Sequence, residues 1–421
     1  MLDIKFIKEN KDVIKAGAQK KNIDLDLDKL IGLDDQRLEI LKEVEKIRAE
    51  QNRFSDEISR DQDPGSRTQL IEEMRLVKED LKNLEEKLKE TIIQWQSLML
   101  QVPNIPDISV PDGKSDEDNQ EIKNWGVKPV FTFEPKDHIE IMNALKMVDF
   151  ERGTKVHGFR GYFLTGDGVR LSFAILNYAF DFFGAKNFNL IMPPVIDRPV
   201  YFMGTGYLPQ GEEDLYKTQD GEYLAGTAEV PMMGIHAGEI LNQNSLPIKY
   251  LGWSQCFRRE AGSHGKDVKG LIRVHEFYKV EQLILCEANH ETSVKLHEEI
   301  NRNAEEFIES LELPYRTVIN CGGDLGFPQV KKYDVELWVP KENKYREISS
   351  ASYFHDFQTR RLNIRYRDAE GKMHYAHSLN CTAIATPRIL VSLVENFQQA
   401  DGSIKIPEVL RKYMSGREFI N

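Results

Sequence analysis

The spacing of apolar side chains predicts two helices near the start of the chain that pack against each other. Apolar residues recur there at alternating intervals of four and three, which is the pattern of a coiled-coil seam. The first run contains Ile40, Val44, Ile47, Phe54 and Ile58, with Gln51 at its one polar position. The second run contains Leu70, Met74, Val77, Leu81, Leu84, Leu88, Trp95 and Leu98, and Thr91 interrupts it.

A turn is predicted between the two runs, in the segment DQDPGSR. Its Pro64 and Gly65 should end the first helix and reverse the chain. We therefore expect an antiparallel helical hairpin, a coiled coil whose helices each reach about 40 Å. Residues 1–32 predict a short helical cap and a turn. A dimerisation coil or a scaffold is the commoner use of an isolated heptad pattern, so the pattern alone leaves the purpose of the hairpin open.

The composition changes after the hairpin. Residues 101–129 are rich in Pro, Asp, Asn and Gly, which predicts an extended connector. We predict a coiled-coil arm at 1–105, a linker at 106–130 and a second domain at 131–421.

Residues 250–286 predict two antiparallel strands joined by a long polar loop, because aromatic and β-branched flanks surround a Gly-, Ser-, Lys- and Asp-rich middle. Alternation places Arg258 and Glu260 on one face of the first strand. On the return strand it groups Arg273, His275, Phe277, Lys279 and Glu281.

Such a face suits a nucleotide. Guanidinium groups bind phosphate through a bidentate fork, Phe277 can stack on a base, and Glu260 can accept a hydrogen bond from an exocyclic amine. A half-exposed hairpin with cross-strand salt bridges explains the same spacing equally well.

Chain length, net charge and cysteine spacing exclude several classes of protein. A chain of 421 residues suggests two or three domains, and a formal charge of −12 argues against a general nucleic-acid binder, so any such contact must use local basic patches. Cysteines at 256, 286, 321 and 381 form no close pair, which favours reduced thiols and no zinc. The most apolar helix candidate, residues 171–183, is too short to span a bilayer and contains Asp181. We expect a cytoplasmic protein without a secretion signal.

The string FRREAGSHGKDVKGLIRVHEFYKVE closely resembles motif 2 of the class II aminoacyl-tRNA synthetases, in the form found in seryl-tRNA synthetases. The resemblance extends over essentially the whole chain. It implies an α+β fold: an N-terminal antiparallel helical hairpin, then a class II domain built on a mixed, mostly antiparallel sheet flanked by helices. The implied activity is that of a serine–tRNA ligase, which forms seryl-adenylate from serine and ATP and transfers the seryl group to the 3′ end of tRNA(Ser).

Other segments resemble the remaining family motifs. A helix at 173–183, a strand-like NFNLIMPPVIDR and Pro194 resemble motif 1, which forms the dimer interface in that class. In the segment YLAGTAEVPMMG, Thr227 is implied to contact serine, although as a helix N-cap it would look the same. The segment HSLNCTAIATPRILV resembles motif 3, whose Arg388 is implied to bind the γ-phosphate at a helix N-terminus.

The resemblance implies a full set of site residues. The implied catalytic residues are Arg258 and Arg388. The implied ATP contacts are Arg258, Arg259, Glu260, Arg273, Val274, Phe277, Glu347, Ile348, Ser349, Ser350 and Arg388. The implied serine contacts are Thr227, Ala228, Glu229, Arg258, Glu281, Asn380 and Thr382. ATP-bound Mg²⁺ is implied at Glu347 and Ser350, whose hard oxygen atoms suit that ion.

Two positions depart from the family pattern. Tyr353 replaces a common Asn and is expected to alter the pocket wall, and Pro387 stands where many relatives have Gly. Proline is well tolerated at a first helical turn, so Arg388 should keep its place.

The resemblance also implies the partners: L-serine, tRNA(Ser), a second copy of the chain, and tRNA(Sec) as an additional candidate. In such an arm, basic side chains at Lys42, Lys46, Arg48, Arg53, Arg75 and Lys78 are candidate phosphate contacts, but a solvated coiled-coil face explains each of them too. Two rival functions remain. One is a ligase that loads an amino acid onto a carrier protein, and the other is a non-catalytic tRNA-binding or scaffold protein.

Sequence patterns favour neither a P-loop nor a nucleophilic triad. GSHGKD lacks the upstream Gly and the following Ser or Thr of a P-loop. His264, His275, His374 and His377 have no suitably spaced partners, and we interpret His275 as a structural member of the sheet.

Overall fold

The computed structural model of the chain describes residues 1–262, 265 and 267–421. Three residues of the predicted loop within 250–286, Ser263, His264 and Lys266, lie outside this part. The described residues form two compact units. The first unit comprises Met1–Gln19 and Ile23–Pro103, and the second comprises Lys20–Asn22 and Asn104–Asn421.

The first unit is helical, as predicted. Its helices are α1 (Ile4–Glu9), α2 (Lys11–Lys20), α3 (Leu27–Arg60) and α4 (Pro64–Met99). Asp26 begins α3 and Asp63 begins α4, because each carboxylate accepts a hydrogen bond from a backbone N–H of the first turn. The two long helices thus start at defined residues.

The seam between α3 and α4 uses the predicted positions, which confirms the helical hairpin. Its buried cluster is formed by Ile40, Val44 and Leu81, with Ile47, Leu84 and Leu88 packed against it. Thr91 is also buried, and its hydroxyl donates to the carbonyl of Lys87 at 2.8 Å. A polar residue is therefore tolerated in the seam because it has an intrahelical partner.

The helix boundaries differ from the predicted ones. Pro64 is the first residue of α4 and so begins a helix instead of ending one, because proline at the first helical position loses no hydrogen bond. Gly32 lies inside α3, so the cap is shorter than residues 1–32. With 34 and 36 residues, the helices reach about 50 Å, not 40 Å.

The second unit contains strands throughout its length. They are β1 (Gln120–Trp125), β2 (Val148–Asp149), β3 (Phe163–Leu164), β4 (Asn189–Ile191), β5 (Ile196–Asp197), β6 (Tyr223–Leu224), β7 (Ile240–Asn242), β8 (Ile248–Phe257), β9 (Glu276–Cys286), β10 (Tyr315–Ile319), β11 (Lys331–Val339), β12 (Lys344–Tyr353), β13 (Arg365–Arg367), β14 (Met373–Tyr375), β15 (His377–Thr386), β16 (Ile404–Lys405) and β17 (Phe419–Ile420).

Helices cover this sheet structure. They are α5 (His138–Ala144), α6 (Phe150–His157), α7 (Gly166–Gly184), α8 (Pro199–Thr205), α9 (Glu229–Gly234), α10 (His290–Ser310), α11 (Phe357–Leu362), α12 (Arg388–Asn396) and α13 (Glu408–Arg411). Buried Ile175, Phe307 and Leu393 from α7, α10 and α12 join one core with the strands. None of the helices in the described ranges combines the length and apolarity needed to cross a membrane.

The main sheet of the described chain has the strand order β1-β10-β11-β12-β15-β9-β8-β4. Its pairs are antiparallel except that β4 runs parallel to β8. This confirms the predicted α+β class, with a mixed and mostly antiparallel sheet flanked by helices.

Part of the predicted linker belongs to this sheet. Strand β1 lies within residues 106–130 and pairs with β10, so that stretch is not merely an extended connector. The sequence did not predict this strand because it contains few apolar residues. An edge strand needs little burial, and β1 is exposed or half-buried along its length. The division into 1–105, 106–130 and 131–421 stays a prediction.

The predicted hairpin is present as β8 and β9. Gly252 pairs with Glu281, Ser254 with Lys279 and Cys256 with Phe277, so Phe277, Lys279 and Glu281 share one face as expected.

The strands are shorter than predicted, however. Because β8 ends at Phe257 and β9 begins at Glu276, Arg258, Glu260, Arg273 and His275 lie in the connecting loop. Alternation therefore does not govern them, and Glu260 adopts a left-handed backbone with φ of 54°.

The segments that resemble motifs 1 and 3 have the predicted elements. Helix α7 spans residues 173–183, and the short strand β4 follows it, with Pro194 just beyond. At the other end of the chain, β15 leads into α12, which begins with Arg388 after Pro387.

Candidate active site

Two adjoining cavities meet along β9, β12 and β15. Residues of the first cavity include Glu260, Val274, Phe277, Ile348 and Arg388. Residues of the second include Thr227, Glu229, Glu281, Ser350 and Asn380. Arg258, Lys279, Glu347 and Thr382 line both. The structure thus brings most of the predicted site residues into one continuous space.

Arg258 lies at the junction of the cavities. Its guanidinium carbon stands 5.3 Å from the centre of the Phe277 ring, and its Nε donates to the carbonyl of Gly226 at 3.3 Å. The backbone of Arg258 is fixed as well, because its N–H donates to the carbonyl of His275 and its own carbonyl lies 3.0 Å from Nδ1 of that histidine. These contacts fit the structural role predicted for His275 and leave a positive charge aimed at both cavities.

Arg388 supplies the second cation of the first cavity. It begins α12 and lines the first cavity. Nε donates to the carbonyl of Ile272 at 2.9 Å and Nη1 to the carbonyl of Glu347 at 3.0 Å. Two backbone carbonyls therefore fix the plane of the guanidinium, and helical N–H groups near it add to the positive potential.

Two of the predicted arginines lie outside both cavities. Arg273 pairs with Glu260 at 2.6 Å and with Asp267 at 3.5 Å. Arg259 is exposed, and its backbone N–H donates to the carbonyl of Asp214. Of the predicted arginines, the cavities therefore contain Arg258 and Arg388.

Glu281 is a carboxylate buried in the second cavity, with 1% of its surface exposed. Its Oε2 lies 2.5 Å from Nζ of Lys279 and accepts a hydrogen bond from the hydroxyl of Thr382 at 3.3 Å. Burial raises the pKa of Glu281, and the Lys279 ammonium opposes that change. The group can offer a strong acceptor to a small polar ligand.

Glu229 is a second buried carboxylate of this cavity. The hydroxyl of Tyr207 donates to it at 3.0 Å and the amide of Gln358 at 2.7 Å. Burial nevertheless raises the pKa of Glu229 to about 7. Thr227 precedes it, and its hydroxyl accepts from the N–H of Glu229 at 3.3 Å, so α9 begins beside the cavity.

Glu347 and Ser350 both face the second cavity although they are three residues apart in one strand. The reason is a bulge: Glu336 pairs with Glu347 but Val335 pairs with Ser349, so Ile348 is unpaired. Among the described residues, neither the Glu347 carboxylate nor the Ser350 hydroxyl has a hydrogen-bond or ion-pair partner. Their oxygens are thus available, and they fit a hard cation such as Mg²⁺ carried in with a polyphosphate.

Three other predicted positions do not line the cavities either. Ala228 is buried in an apolar cluster. Ser349 points to the other side of β12, where its hydroxyl donates to the carbonyl of Thr382 at 2.5 Å. The expected change of the pocket wall at Tyr353 is wrong, because this side chain is fully buried elsewhere and donates to Asp107 at 2.8 Å.

Sequence reasoning missed Lys279 and Tyr207 as site residues. Lys279 is 6% exposed, lines both cavities and pairs with Glu281. Its position two residues before Glu281 in a strand was the available signal. Tyr207 had no such signal, because only the tertiary fold brings it to Glu229.

The thiols and metal-ligating side chains of the described chain form no further centre. Its four cysteines are buried free thiols. Across the described ranges, no three His, Cys, Asp or Glu side chains are arranged to hold a metal ion. The expectation that no zinc is required stays a prediction, and His264 lies outside the described residues.

Comparison with known proteins identifies relatives over the whole length. Residues 1–106 match the seryl-tRNA synthetase N-terminal domain, and residues 216–397 match the tRNA synthetase class II core domain (G, H, P, S and T). The chain is 46% identical over 421 residues to a serine–tRNA ligase of Deinococcus radiodurans, covering 100% of this chain and 99% of the relative. It is 45% identical over 420 residues to that of Thermodesulfovibrio yellowstonii, covering 98% and 99%.

A solved structure of a seryl-tRNA synthetase is also similar over the whole chain. Seryl-tRNA synthetase from Pyrococcus horikoshii, complexed with ATP, superposes with a TM-score of 0.90 at 38% identity, covering 100% of this chain and 99% of that one.

Proposed function

This chain belongs to the seryl-tRNA synthetase family, and we propose that its first cavity binds ATP while its second binds serine. The overall reaction is the ligation of serine to tRNA at the expense of ATP. The observation that carries the assignment of the cavities is that four residues line both, so two substrates can meet there.

The first step joins serine to AMP. The serine carboxylate attacks the α-phosphate, a new carboxyl–phosphate bond forms, and pyrophosphate leaves. Because the substrate supplies the nucleophile, the protein needs only to position the reactants and neutralise charge. We assign Arg258 to the α-phosphate because it stands where the cavities meet. Lys279, which lines both cavities, adds positive potential at the same point.

The outer phosphates and the base are assigned to the rest of the first cavity. Arg388, whose plane is fixed by two carbonyls, binds the γ-phosphate. Phe277 stacks on adenine, and Glu260 accepts from its exocyclic amine. Glu347 and Ser350 would hold the Mg²⁺ that arrives with ATP, and this ion would neutralise charge on the phosphates.

Serine is assigned to the second cavity. Glu281 accepts hydrogen bonds from the serine side-chain hydroxyl and amine, and Thr227, Asn380 and Thr382 complete the wall. A site that pairs with a substrate hydroxyl rejects the analogue lacking it by about 10⁴-fold or more. Alanine is thus excluded because a buried carboxylate would be left unpaired, and threonine because of its additional methyl group.

The second step transfers the seryl group to a 3′-terminal ribose hydroxyl, and AMP leaves. We assign tRNA binding to the helical arm at 1–105. Lys42, Lys46 and Lys78 are exposed along it, whereas Arg48 is already paired with Glu85 at 2.6 Å. The lysines are therefore the better candidates for phosphate contacts, since they have no ion-pair partner among the described residues.

We also propose that the chain acts as a cytoplasmic homodimer. Apolar side chains are exposed on and beyond α7 and β4, the elements that resemble motif 1: Phe173 is 54% exposed, Leu190 58%, Met192 76% and Ile196 56%. A second copy would cover such a face.

The direct test is amino-acid-dependent pyrophosphate exchange with each of the twenty amino acids, followed by charging of total tRNA. We expect exchange and charging with serine alone. Exchange without charging would favour a carrier-protein ligase, and no exchange would favour a scaffold. Charging of isolated tRNA(Sec) transcript tests the second candidate acceptor.

A further inference from the structure

His138 connects three separate parts of the catalytic unit. It is the first residue of α5 and only 5% of its surface is exposed. Its backbone N–H donates to Oε1 of Glu395 at 2.9 Å, and its ring Nδ1 lies 3.0 Å from the same oxygen. On the other side of the ring, Nε2 accepts a hydrogen bond from the backbone N–H of Leu271 at 3.2 Å.

These contacts require one form of the ring. The backbone N–H of Leu271 can only donate, so Nε2 must be unprotonated. The ring proton is then on Nδ1 and is donated to Glu395, a carboxylate with no exposed surface. The second oxygen of Glu395 accepts from the N–H of Lys341 at 3.0 Å. Both ring nitrogens of His138 and both carboxylate oxygens of Glu395 are thus partnered, and the imidazole is held on both sides.

The loop segment that contacts His138 also contacts Arg388. Leu271 and Ile272 line the first cavity, and the carbonyl of Ile272 accepts from Nε of Arg388. Arg388 and Glu395 are seven residues apart in α12, which is close to two helical turns, so they lie on the same side of the helix. Glu395, His138, residues 271–272 and Arg388 therefore form a closed ring of contacts.

The fit around His138 leaves no space. Gly270 has a φ of 80°, and a Cβ atom added there would lie 2.1 Å from Nε2 of His138. Glycine is required both by the left-handed backbone and by the approach of the ring. The histidine and the returning end of the loop are thus fitted to each other.

We propose that His138 is a positioning residue for ATP: it ties the loop end at 270–272 to α12 and thereby orients the Arg388 guanidinium toward the phosphates. This inference rests on the proposed assignment of Arg388 to ATP. Without the tie, the Ile272 carbonyl can shift, and a displacement near 1 Å at a reacting group costs about 100-fold in rate.

The test compares two substitutions of His138 that differ in whether they keep the contact to Leu271. In His138→Asn the amide can donate to Glu395 but does not reach Leu271, whereas in His138→Gln the amide oxygen can replace Nε2 as acceptor. We expect His138→Asn to raise KM for ATP in pyrophosphate exchange by about tenfold or more, with KM for serine changed less than twofold. His138→Gln should recover much of this loss. His297→Asn is the matched control, because His297 is also buried but contacts the Ala351 carbonyl instead of the loop.

A double-mutant cycle with Arg388→Ala separates this role from general destabilisation. If His138 acts through Arg388, adding His138→Asn to Arg388→Ala should change KM for ATP by less than twofold. Additive effects, or an unchanged KM in folded His138→Asn, would overturn the inference. If His138→Asn does not fold, Glu395→Gln, which keeps the size of the side chain that contacts Nδ1 of His138 but removes its charge, replaces it in the cycle, with the same two outcomes. An Arg388→Ala variant with normal KM for ATP would instead refute the assignment of Arg388 itself.

Discussion

Replacing Glu281 by Gln tests the assigned serine site most directly. The substitution keeps the shape of the side chain and removes its charge, so the buried Lys279 ammonium retains an oxygen acceptor nearby. Alanine would be a poorer probe, because an unpaired buried charge destabilises a protein by about 3–5 kcal/mol. Glu281 lines the second cavity but is absent from the lining of the first. Serine binding should therefore suffer while ATP binding persists.

The expected magnitude follows from the contacts that the carboxylate can make. A hydrogen bond to a charged group contributes about 1.5–3 kcal/mol, and each 1.36 kcal/mol is a factor of ten. In serine-dependent pyrophosphate exchange, kcat/KM for serine should fall by about 10- to 150-fold, and KM for ATP should change less than twofold. The preference for serine over alanine should shrink by a similar factor, because the variant no longer leaves a buried carboxylate unpaired.

Glu276→Gln is the matched control, since Glu276 lies five positions earlier in β9 and so faces the opposite side of the sheet. It should leave serine selectivity unchanged. If Glu281→Gln keeps wild-type kcat/KM for serine and wild-type rejection of alanine, Glu281 does not recognise the substrate hydroxyl, and the assignment of the second cavity fails.

The remaining predictions concern Glu229 and the arm. Burial raises the pKa of Glu229 to about 7, which is above the pKa of the same group in the unfolded chain. As pH rises, the unfolded chain therefore loses this proton before the folded chain does. The free energy of unfolding consequently falls as pH rises from about 4.5 to 7. The loss is about 3 kcal/mol, and Glu229→Gln should remove it; urea unfolding at pH 5 and pH 7.5 measures the difference, and equal pH dependence in both proteins would contradict the prediction. Replacing residues 49–84 by a short Gly-containing turn removes the outer arm but keeps the Arg48–Glu85 ion pair at the new end. Exchange should stay within about twofold and tRNA charging should fall by at least about 100-fold, because the replaced segment contains the candidate phosphate contacts Arg53, Arg75 and Lys78. A parallel loss of both activities would show that the arm supports the active site.

Residues 49–84 are replaced, and not the whole arm, because Lys21 supports the second cavity. This buried side chain belongs to the catalytic unit and donates to the carbonyls of Gly326, Phe327 and Gln329 at 2.6–3.0 Å. Residues 326–329 line the second cavity. Deleting 1–105 would remove this support and confuse loss of tRNA binding with damage to the serine site.

Local patterns were sufficient where structure depends on neighbours in sequence. The coiled-coil seam repeats along two continuous helices, and β9 is regular from Glu276, so Phe277, Lys279 and Glu281 were placed on one face correctly. Alternation failed at Arg258 and Arg273, which lie beyond the strand ends. Leu271, Ile272 and Val274 are branched residues that precede β9, so composition alone does not mark where its pairing begins.

The bulge in β12 could not be predicted from the sequence. Glu347 and Ser350 would lie on opposite faces of a regular strand, yet both line the second cavity because Ile348 is unpaired with β11. The expected pair of Mg²⁺ ligands therefore depends on a defect in pairing that is set by the partner strand. The same defect explains why Ser349, between them, faces away.

A glycine determines how close the serine-site helix can come to the sheet. Gly252 in β8 pairs with Glu281, and a Cβ atom there would lie 2.5 Å from Sδ of Met232 and 3.0 Å from Cβ of Ala228. Helix α9 thus packs on bare backbone, and its first residue, Glu229, is carried to the same cavity as Glu281. This explains why Ala228 belongs to the core although it lies between two cavity residues: together with Met232, its side chain packs against Gly252. The acidic character of the serine site is therefore a consequence of backbone packing, since two carboxylates share one cavity only because the sheet has no side chain at that point.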